Sequence, residues 1–177
     1  MENLSEMIKT KKFVVVDLET TGLDTYRNHI IEIGAVRIEN GKITEKFSTF
    51  VSCPVNLPAE IVDLTGIAEN DLKNAPVIEE ALKNLWEFMH DCILVVHNLP
   101  FDYAFLRKWG SECGLSFDGV EKNALDTVDL AREILENEVE NFKLSTLAKY
   151  FGIEFAHHRA LNDAEATAKI LIKLANQ

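Results

Sequence analysis

Apolar residues follow two spacings along the chain, one typical of strands and one typical of helices. Residues 13–18 form a β-branched run that is short enough for a buried central strand, and residues 30–38 and 43–51 are two more strand candidates. The dipeptide Asn40-Gly41 between the last two is a strong signal for a tight hairpin. The first third of the chain is therefore predicted to form three strands, two of them joined as a hairpin.

After residue 57 the apolar spacing becomes helical. A short helix is predicted between Pro58 and Gly66, a further turn at residues 69–73, and a longer helix after Pro76, whose apolar stripe comprises Ile78, Leu82, Leu85, Trp86 and Met89. The remaining elements are strands at residues 92–96 and near Ala124, and helices at residues 101–113, 128–137, 144–151 and 162–176. This order predicts an α/β fold with a mixed five-stranded sheet flanked by helices.

The chain is organised as one unit. Its 177 residues fall within the usual size of a single domain, and the sequence contains no internal repeat, low-complexity tract or Pro/Gly/Ser-rich linker. Residues 1–12 are predicted to form a loosely packed lead-in segment, and residues 13–177 a single domain.

Composition excludes several classes of protein. Hydrophobic residues make up 47% and charged residues 27% of the chain, which argues against disorder. No apolar run approaches the ~18 residues that a membrane span needs, and the first residues do not resemble a signal peptide. Cys53, Cys92 and Cys113 are odd in number and widely spaced, which suits neither a disulfide framework nor a zinc site. We expect a cytoplasmic protein that does not bind membranes.

The formal net charge of −11 restricts the ways in which the chain could bind nucleic acid. Proteins that hold long stretches of phosphate backbone are usually basic. An enzyme that holds only a few terminal nucleotides needs less positive charge, because two divalent cations would bring about +4 to an acidic site. The charge therefore argues against a DNA binder with a long footprint, and not against a nuclease.

Two carboxylates stand at the end of the first predicted strand. Asp17 and Glu19 are two positions apart, so their side chains share one face of the strand. Strands disfavour acidic residues, and two like charges on one face repel each other unless a positive charge lies between them. A solvated strand end explains the pair as well as a metal site does, so this motif is weak on its own.

Two further acids occupy the starts of predicted helices. Asp102 follows the strand at residues 92–96, and Asp163 opens the last helix, five residues after His158. Taken singly, each acid is better explained as a residue that stabilises a helix N-terminus. Jointly, the four carboxylates are predicted to meet at one sheet edge, where sites in α/β folds usually lie. Such a set suits two Mg²⁺ or Mn²⁺ ions and phosphodiester hydrolysis, with a neutral His158 as proton acceptor.

The same residues carry a resemblance to a known family. The four acids, with a histidine five residues before the last of them, match the pattern of the DEDDh exonucleases, the DnaQ-like group within the ribonuclease H-like fold. Three segments look most like the proofreading exonucleases of bacterial DNA polymerase III, and more like the PolC-type exonuclease domain than the separate epsilon subunit. These segments are DLETTGL (17–23), LTGI (64–67) and HHRALNDAEATA (157–168).

The resemblance implies a function for residues 13–177. It implies a metal-dependent 3′→5′ exonuclease that releases nucleoside 5′-monophosphates from single-stranded DNA, in proofreading or repair, with a DNA polymerase III catalytic subunit as a partner. It also implies that Asp17, Glu19 and Asp163 hold the ion that activates water, that Asp102 supports a second ion, and that His158 is the general base. Two alternatives stay open: an RNA-trimming, oligoribonuclease-like exonuclease, and a non-catalytic polymerase subunit that binds single strands.

Contacts with the terminal nucleotide are implied by the same resemblance. The residues concerned are Thr20, Thr21, Thr65, Asn98, Phe101 and His158. The epsilon subunit typically has a histidine where Thr65 stands, which is a departure from that pattern.

The expectations for two residues near these motifs are less specific. Glu32, in an otherwise apolar strand beside the first, either supports the acids or is a hydrogen-bonded core acid. His157 is expected to point away from the acids, since it is adjacent to His158 in the sequence.

Overall fold

The computed structural model describes residues 3–177, and within them it has five strands and eight α-helices. The strands are β1 (Lys12–Thr20), β2 (Ile30–Glu39), β3 (Lys42–Phe50), β4 (Ile93–Val96) and β5 (Leu125–Asp126). The helices are α1 (Leu4–Thr10), α2 (Ala59–Thr65), α3 (Glu69–Leu72), α4 (Ile78–Phe88), α5 (Leu99–Glu112), α6 (Thr127–Leu135), α7 (Leu144–Tyr150) and α8 (Ala160–Leu174), and a 3₁₀-helix spans Val120–Asn123. None of these helices is both long enough and apolar enough to cross a membrane.

The strands form one mixed five-stranded sheet, as the sequence predicts, and the structure gives their order as β3-β2-β1-β4-β5. β2 is antiparallel to both β1 and β3, whereas β4 is parallel to β1 and β5 is parallel to β4. The hairpin between β2 and β3 turns at Asn40 and Gly41, whose φ angles are 53° and 70°. Both angles are positive, as the tight hairpin turn favoured by Asn-Gly requires.

β1 is buried on both faces because helices cover both sides of the sheet. Val14 and Val16 belong to a core that is shared with α4 and α5, whereas Phe13 and Val15 belong to a second core that is shared with α8. Because side chains alternate along a strand, the odd-numbered positions of β1 lie on the α8 face.

α8 approaches β2 very closely at Gly34. A β-carbon added at Gly34 would lie 2.2 Å from the carbonyl carbon of Ala160 and 2.2 Å from the amide nitrogen of Leu161. A glycine inside a strand often marks such a close approach of another backbone. Gly34 therefore allows the first turn of α8 to rest directly on the sheet.

The amino-terminal segment is more ordered than the sequence analysis predicts. Residues 4–10 form α1, and the side chain of Asn3 caps it by accepting a hydrogen bond from the N–H of Ser5 at 3.0 Å. Ile8 is 2% exposed and packs in the core beneath α8. The prediction of a loosely packed lead-in is therefore wrong for residues 4–10, because burial of one apolar helix face holds them on the sheet. Residues 1 and 2 lie outside the described part.

Candidate active site

Asp17 and Glu19 lie near the carboxyl end of β1, on the face that α8 covers. Their cross-strand partners on β2 are Gly34 and Glu32, respectively. Asp17 and Glu19 are each partly exposed as whole residues. They share one face of the sheet, as their spacing predicts.

Asp102 reaches the site from the first turn of α5, which starts two residues earlier than predicted. The side chain is 4% exposed, and its Oδ1 accepts a hydrogen bond from the backbone N–H of Leu18 at 3.0 Å. Asp126 anchors the start of α5, because its carboxylate accepts hydrogen bonds from the N–H groups of Asn98 at 3.0 Å and Leu99 at 2.9 Å. These bonds fix α5 against the neighbouring strands.

Asp163 and His158 come from the start of α8. Asp163 is 5% exposed, and its Oδ2 accepts a hydrogen bond from the backbone N–H of His158 at 3.0 Å. His158 has a φ angle of 63°, a left-handed conformation that non-glycine residues rarely adopt and that clusters at functional sites. One potential ligand atom from each of Glu19, His158 and Asp163 lies within 4.8 Å of the other two. The end of β1 and the start of α8 therefore bring their functional side chains together.

His157 lies against the site, so the expectation that it points away is wrong. Its Nδ1 is 3.1 Å from Oδ1 of Asp163, and its ring packs on Phe155 with the centroids 4.1 Å apart. Neighbouring side chains point to opposite sides only in an extended segment. The left-handed turn at His158 instead places the two histidine rings next to each other, 5.3 Å apart.

The clustered ligand atoms suit a hard divalent cation. Oδ1 of Asp163 is buried and has no hydrogen-bond partner among residues 3–177, although Nδ1 of His157 lies 3.1 Å away. A buried carboxylate oxygen without a donor is costly. Such cations prefer carboxylate oxygens, so a cation beside Glu19 and Asp163 would satisfy this atom.

Burial raises the pKa of all four clustered acids. It is the largest cause in each case, and it contributes to a pKa of about 7 for Glu19 and about 8 for Asp102. The pKa values of Asp17 and Asp163 are also raised, that of Asp17 with repulsion from Asp102 and Asp163 as the next causes. Without a bound cation, the four acids therefore stay protonated to a higher pH than carboxyl groups with ordinary pKa values.

The metal-free protein is expected to lose stability as the pH rises from about 6.5 to about 8. In this range the folded chain binds protons at Glu19 and Asp102 more tightly than the unfolded chain does, and that advantage disappears as the pH passes their raised pKa values of about 7 and about 8. Below about pH 6.5 the titration of His97 opposes this trend. There the unfolded chain takes up a proton at His97, whose pKa burial lowers to about 4 in the folded state.

Urea unfolding in EDTA at the two ends of this range measures the effect. Asp102→Asn should flatten the pH dependence, because the amide keeps an acceptor for the N–H of Leu18 but no longer titrates. Saturating Mn²⁺ should abolish or reverse the slope, since ionised carboxylates bind the cation better. An unchanged slope in Asp102→Asn would contradict the assignment of these protons to the cluster.

The three threonines predicted to contact a nucleotide are buried, with 5–7% of each residue exposed. The hydroxyl groups of Thr20, Thr21 and Thr65 donate to acceptors within the protein, which are Gly22 O (2.8 Å), Asn28 Oδ1 (3.1 Å) and Ile61 O (2.8 Å). Their hydroxyl hydrogens are therefore already engaged, and other atoms would have to meet a ligand.

The other two predicted contact residues are more accessible. Asn98 is exposed and has a left-handed φ of 74° at the start of α5, where its side chain makes no capping hydrogen bond. Phe101 is partly exposed and packs against Phe105, with ring centroids 5.2 Å apart.

Gly34 and Arg159 lie beside the site but were not candidates in the sequence analysis. Gly34 admits the start of α8, and Arg159 forms an ion pair with Glu32 at 2.9 Å. Glu32 is therefore a hydrogen-bonded acid, one of the two expectations for it. A glycine within an apolar strand beside Asp17 was an available signal, whereas an arginine beside two histidines carries no comparable signal.

A family model described as RNase_T, exonuclease, matches residues 14–171. Similar relatives include DNA polymerase III PolC-type of Caldanaerobacter subterraneus subsp. tengcongensis, 44% identical over 171 residues, and that of Bacillus subtilis, 38% identical over 169 residues. These alignments cover 96% and 95% of this chain but only 12% of each relative. The chain therefore spans a small part of the length of these relatives.

Two solved structures show the same fold. Escherichia coli exonuclease I in complex with a dT13 oligonucleotide is similar with a TM-score of 0.80 at 18% identity, over 92% of this chain and 40% of that chain. Exonuclease X in complex with 5′ overhanging duplex DNA is similar with a TM-score of 0.74 at 26% identity, over 93% of this chain and 91% of that chain. The expectation of a ribonuclease H-like exonuclease fold is confirmed.

Proposed function

Because the chain belongs to the RNase_T exonuclease family, we propose that it removes nucleotides one at a time from the 3′ end of single-stranded DNA. One observation carries the proposal: ligand atoms of Glu19, His158 and Asp163 converge within 4.8 Å, and Asp17 and Asp102 are close enough to interact with the same cluster. A module that only binds single strands has no need of this combination of acids and base.

We propose that Asp17, Glu19 and Asp163 hold one Mg²⁺ or Mn²⁺ ion, and that Asp17 and Asp102 hold a second. When bound, such a pair of ions would lower the pKa of the attacking water and stabilise the leaving oxygen. The protein orients two of the carboxylates with backbone donors, since the N–H of Leu18 binds Asp102 and the N–H of His158 binds Asp163.

His158 is proposed to accept the proton of the attacking water. Its ring is exposed, while a ring nitrogen remains close to carboxylate oxygens of Glu19 and Asp163. A neutral imidazole is the side chain best suited to this task near neutral pH.

The terminal nucleotide is proposed to lie against Thr20, Thr21, Thr65 and Phe101. The engaged hydroxyls leave the threonines to contribute backbone and methyl contacts, while the ring of Phe101 supplies an apolar surface for base or sugar. Asn98 would orient the loop at the start of α5. Exonuclease I and exonuclease X have been solved with DNA, which supports DNA as the substrate.

DNA replication is the proposed setting, with proofreading or repair as the role. The similar relatives are PolC-type DNA polymerase III chains, in which the aligned region is a small part. We therefore propose a DNA polymerase III catalytic subunit as the partner and the cytoplasm as the location.

Digestion of labelled oligomers tests the activity. Single-stranded DNA, duplex DNA and RNA are incubated with Mg²⁺, with Mn²⁺ or with EDTA, and the products are resolved by length. We expect stepwise shortening of single-stranded DNA from its 3′ end with either metal and none with EDTA. Faster digestion of RNA would support the RNA-trimming alternative, and binding without cleavage would support the non-catalytic one.

Affinity for single-stranded DNA is expected to depend only weakly on salt. A chain with a net charge of −11 that holds a few terminal nucleotides should make about two to four phosphate contacts, so the slope of log K against log salt should have a similar magnitude. Fluorescence anisotropy with a labelled oligomer, over a range of KCl concentrations with Ca²⁺ in place of Mg²⁺, measures it. A slope near ten would indicate a long footprint and contradict the proposed binding mode.

Gly34→Ala is expected to lower kcat by about 10²-fold or more, although it removes no functional side chain. The added methyl group would have to displace the backbone of Ala160 and Leu161, and with it Asp163 in the same turn. Single-turnover digestion and thermal unfolding measure activity and stability. Gly110→Ala is the matched control, because its methyl group would instead meet the ring of Phe117 at 2.4 Å. Equal activity loss in both variants would show that overcrowding alone is responsible.

A further inference from the structure

Three side chains stand in a row across adjacent strands beside the acids. The strand register pairs Glu19 of β1 with Glu32 of β2, and Glu32 with Phe50 of β3. Arg159, the residue between His158 and α8, lies over this row, with its guanidinium carbon 5.3 Å from the centroid of the Phe50 ring. Two carboxylates directly opposite each other on a sheet repel, so Glu32 requires a compensating partner.

Arg159 and the start of α8 supply that partner. Glu32 is 1% exposed. Its Oε1 accepts hydrogen bonds from Nη2 of Arg159 at 2.9 Å and from Nε at 3.2 Å, and its Oε2 accepts from Nε at 3.2 Å and from the backbone N–H of Ala160 at 3.0 Å. A buried carboxylate is tolerated when it is paired and hydrogen-bonded in this way. Both oxygens of Glu32 are therefore engaged by Arg159 and by the first residue of α8.

We propose that Glu32 and Arg159 are positioning residues that hold the junction at the start of α8 (residues 158–160) so that His158 and Asp163 face Glu19. This inference rests on the proposed function and deepens it. Glu32 binds two consecutive residues of the junction, one through its side chain and one through its backbone. A two-pronged guanidinium–carboxylate contact defines orientation as well as distance. The junction also carries the left-handed His158, whose N–H binds Asp163.

A purely structural role for the Glu32–Arg159 ion pair predicts different results. If the pair only stabilised the fold, its loss would lower Tm and leave cation affinity and kcat almost unchanged. Lys46 provides the matched control, because its Nζ forms an exposed ion pair at 2.6 Å with Glu165 and so also links the sheet to α8. Lys46→Gln removes this link two residues after Asp163 without touching the junction.

The experiment compares Arg159→Gln, Arg159→Lys, Glu32→Gln and Lys46→Gln in the full chain. Mn²⁺ affinity is measured by calorimetry without DNA, Tm in EDTA, and kcat and KM with a single-stranded oligonucleotide. We expect Arg159→Gln and Glu32→Gln to weaken Mn²⁺ binding and lower kcat by about 10–100-fold each, the usual effect of losing a residue that orients metal ligands. KM should change little. Arg159→Lys should keep only part of the parental Mn²⁺ affinity and kcat, since lysine cannot form the two-pronged contact. Lys46→Gln should resemble the parent in both quantities.

Two results would overturn the proposal. One is a lower Tm in Arg159→Gln with parental Mn²⁺ affinity and kcat, and the other is an equal loss of Mn²⁺ affinity in Lys46→Gln. Arg159→Gln decides the matter even if Glu32→Gln fails to fold, because the side chain of Arg159 is 46% exposed. If the parent bound Mn²⁺ but digested no DNA, the proposed function would fail, while the Mn²⁺ affinities would still test the positioning role.

Discussion

Asp17→Asn is expected to reduce the rate of nucleotide release by about 10³-fold or more, because bound cations supply several kcal/mol of transition-state stabilisation. Asp17 is the carboxylate proposed to contact both ions, and it lies beside Asp102 and Asp163, whose repulsion contributes to its raised pKa. Its removal should leave the fold intact. In EDTA at a pH above about 8, where Glu19 and Asp102 ionise, the variant should melt at a higher temperature than the parent, by ~2–4 °C for each kcal/mol of repulsion relieved at this chain length.

Single-turnover rates with saturating Mn²⁺ and thermal unfolding in EDTA measure the two effects separately. Asp129→Asn is the control, because Asp129 is an exposed acid of α6 that pairs only with Arg132 three residues away in the described structure. It removes the same charge without touching the cluster. A folded Asp17→Asn protein with near-parental turnover would end the two-ion proposal.

His158→Ala is expected to lower kcat by about 10²–10⁴-fold while KM changes little, because a general base acts on the chemical step more than on binding. The limb of the pH–rate profile that reports protonation of the base should disappear. His158 also has a left-handed φ of 63°, so the alanine variant could lose activity through backbone strain alone. His158→Asn separates the two effects, since asparagine adopts this conformation more readily but is not a base.

His157→Ala tests which histidine is the base. His157 lies 3.1 Å from Asp163, so it is a second candidate for the base and its variant cannot serve as the control. His90→Ala is the control instead, because His90 is exposed and contacts Asp91 beyond the end of α4. If His157→Ala loses more activity than His158→Ala, the role of base passes to His157. If both variants keep parental kcat, a histidine base is excluded.

Strand and helix positions could be predicted from the sequence because they depend on local spacing. The buried run at the start of β1, the positive-φ turn at Asn40-Gly41 and the helical stripe of α4 each need only a few neighbouring residues to be recognised. The segment that became α1 shows where this method fails. Its seven residues give too little periodicity to indicate a helix, and the packing of Ile8 on the sheet holds it in place.

The sequence by itself determined which residues could carry the chemistry: four acids and a histidine, recognised by residue type and spacing. The tertiary structure alone decided how they are held. Asp102 is oriented by Leu18, which is 84 positions away, and Glu32 holds Arg159, which is 127 positions away. It also decided that Gly34 lies beneath α8 and that His157 touches Asp163. The physical reason is that these contacts depend on how distant segments pack together, and no local pattern of residues encodes that packing.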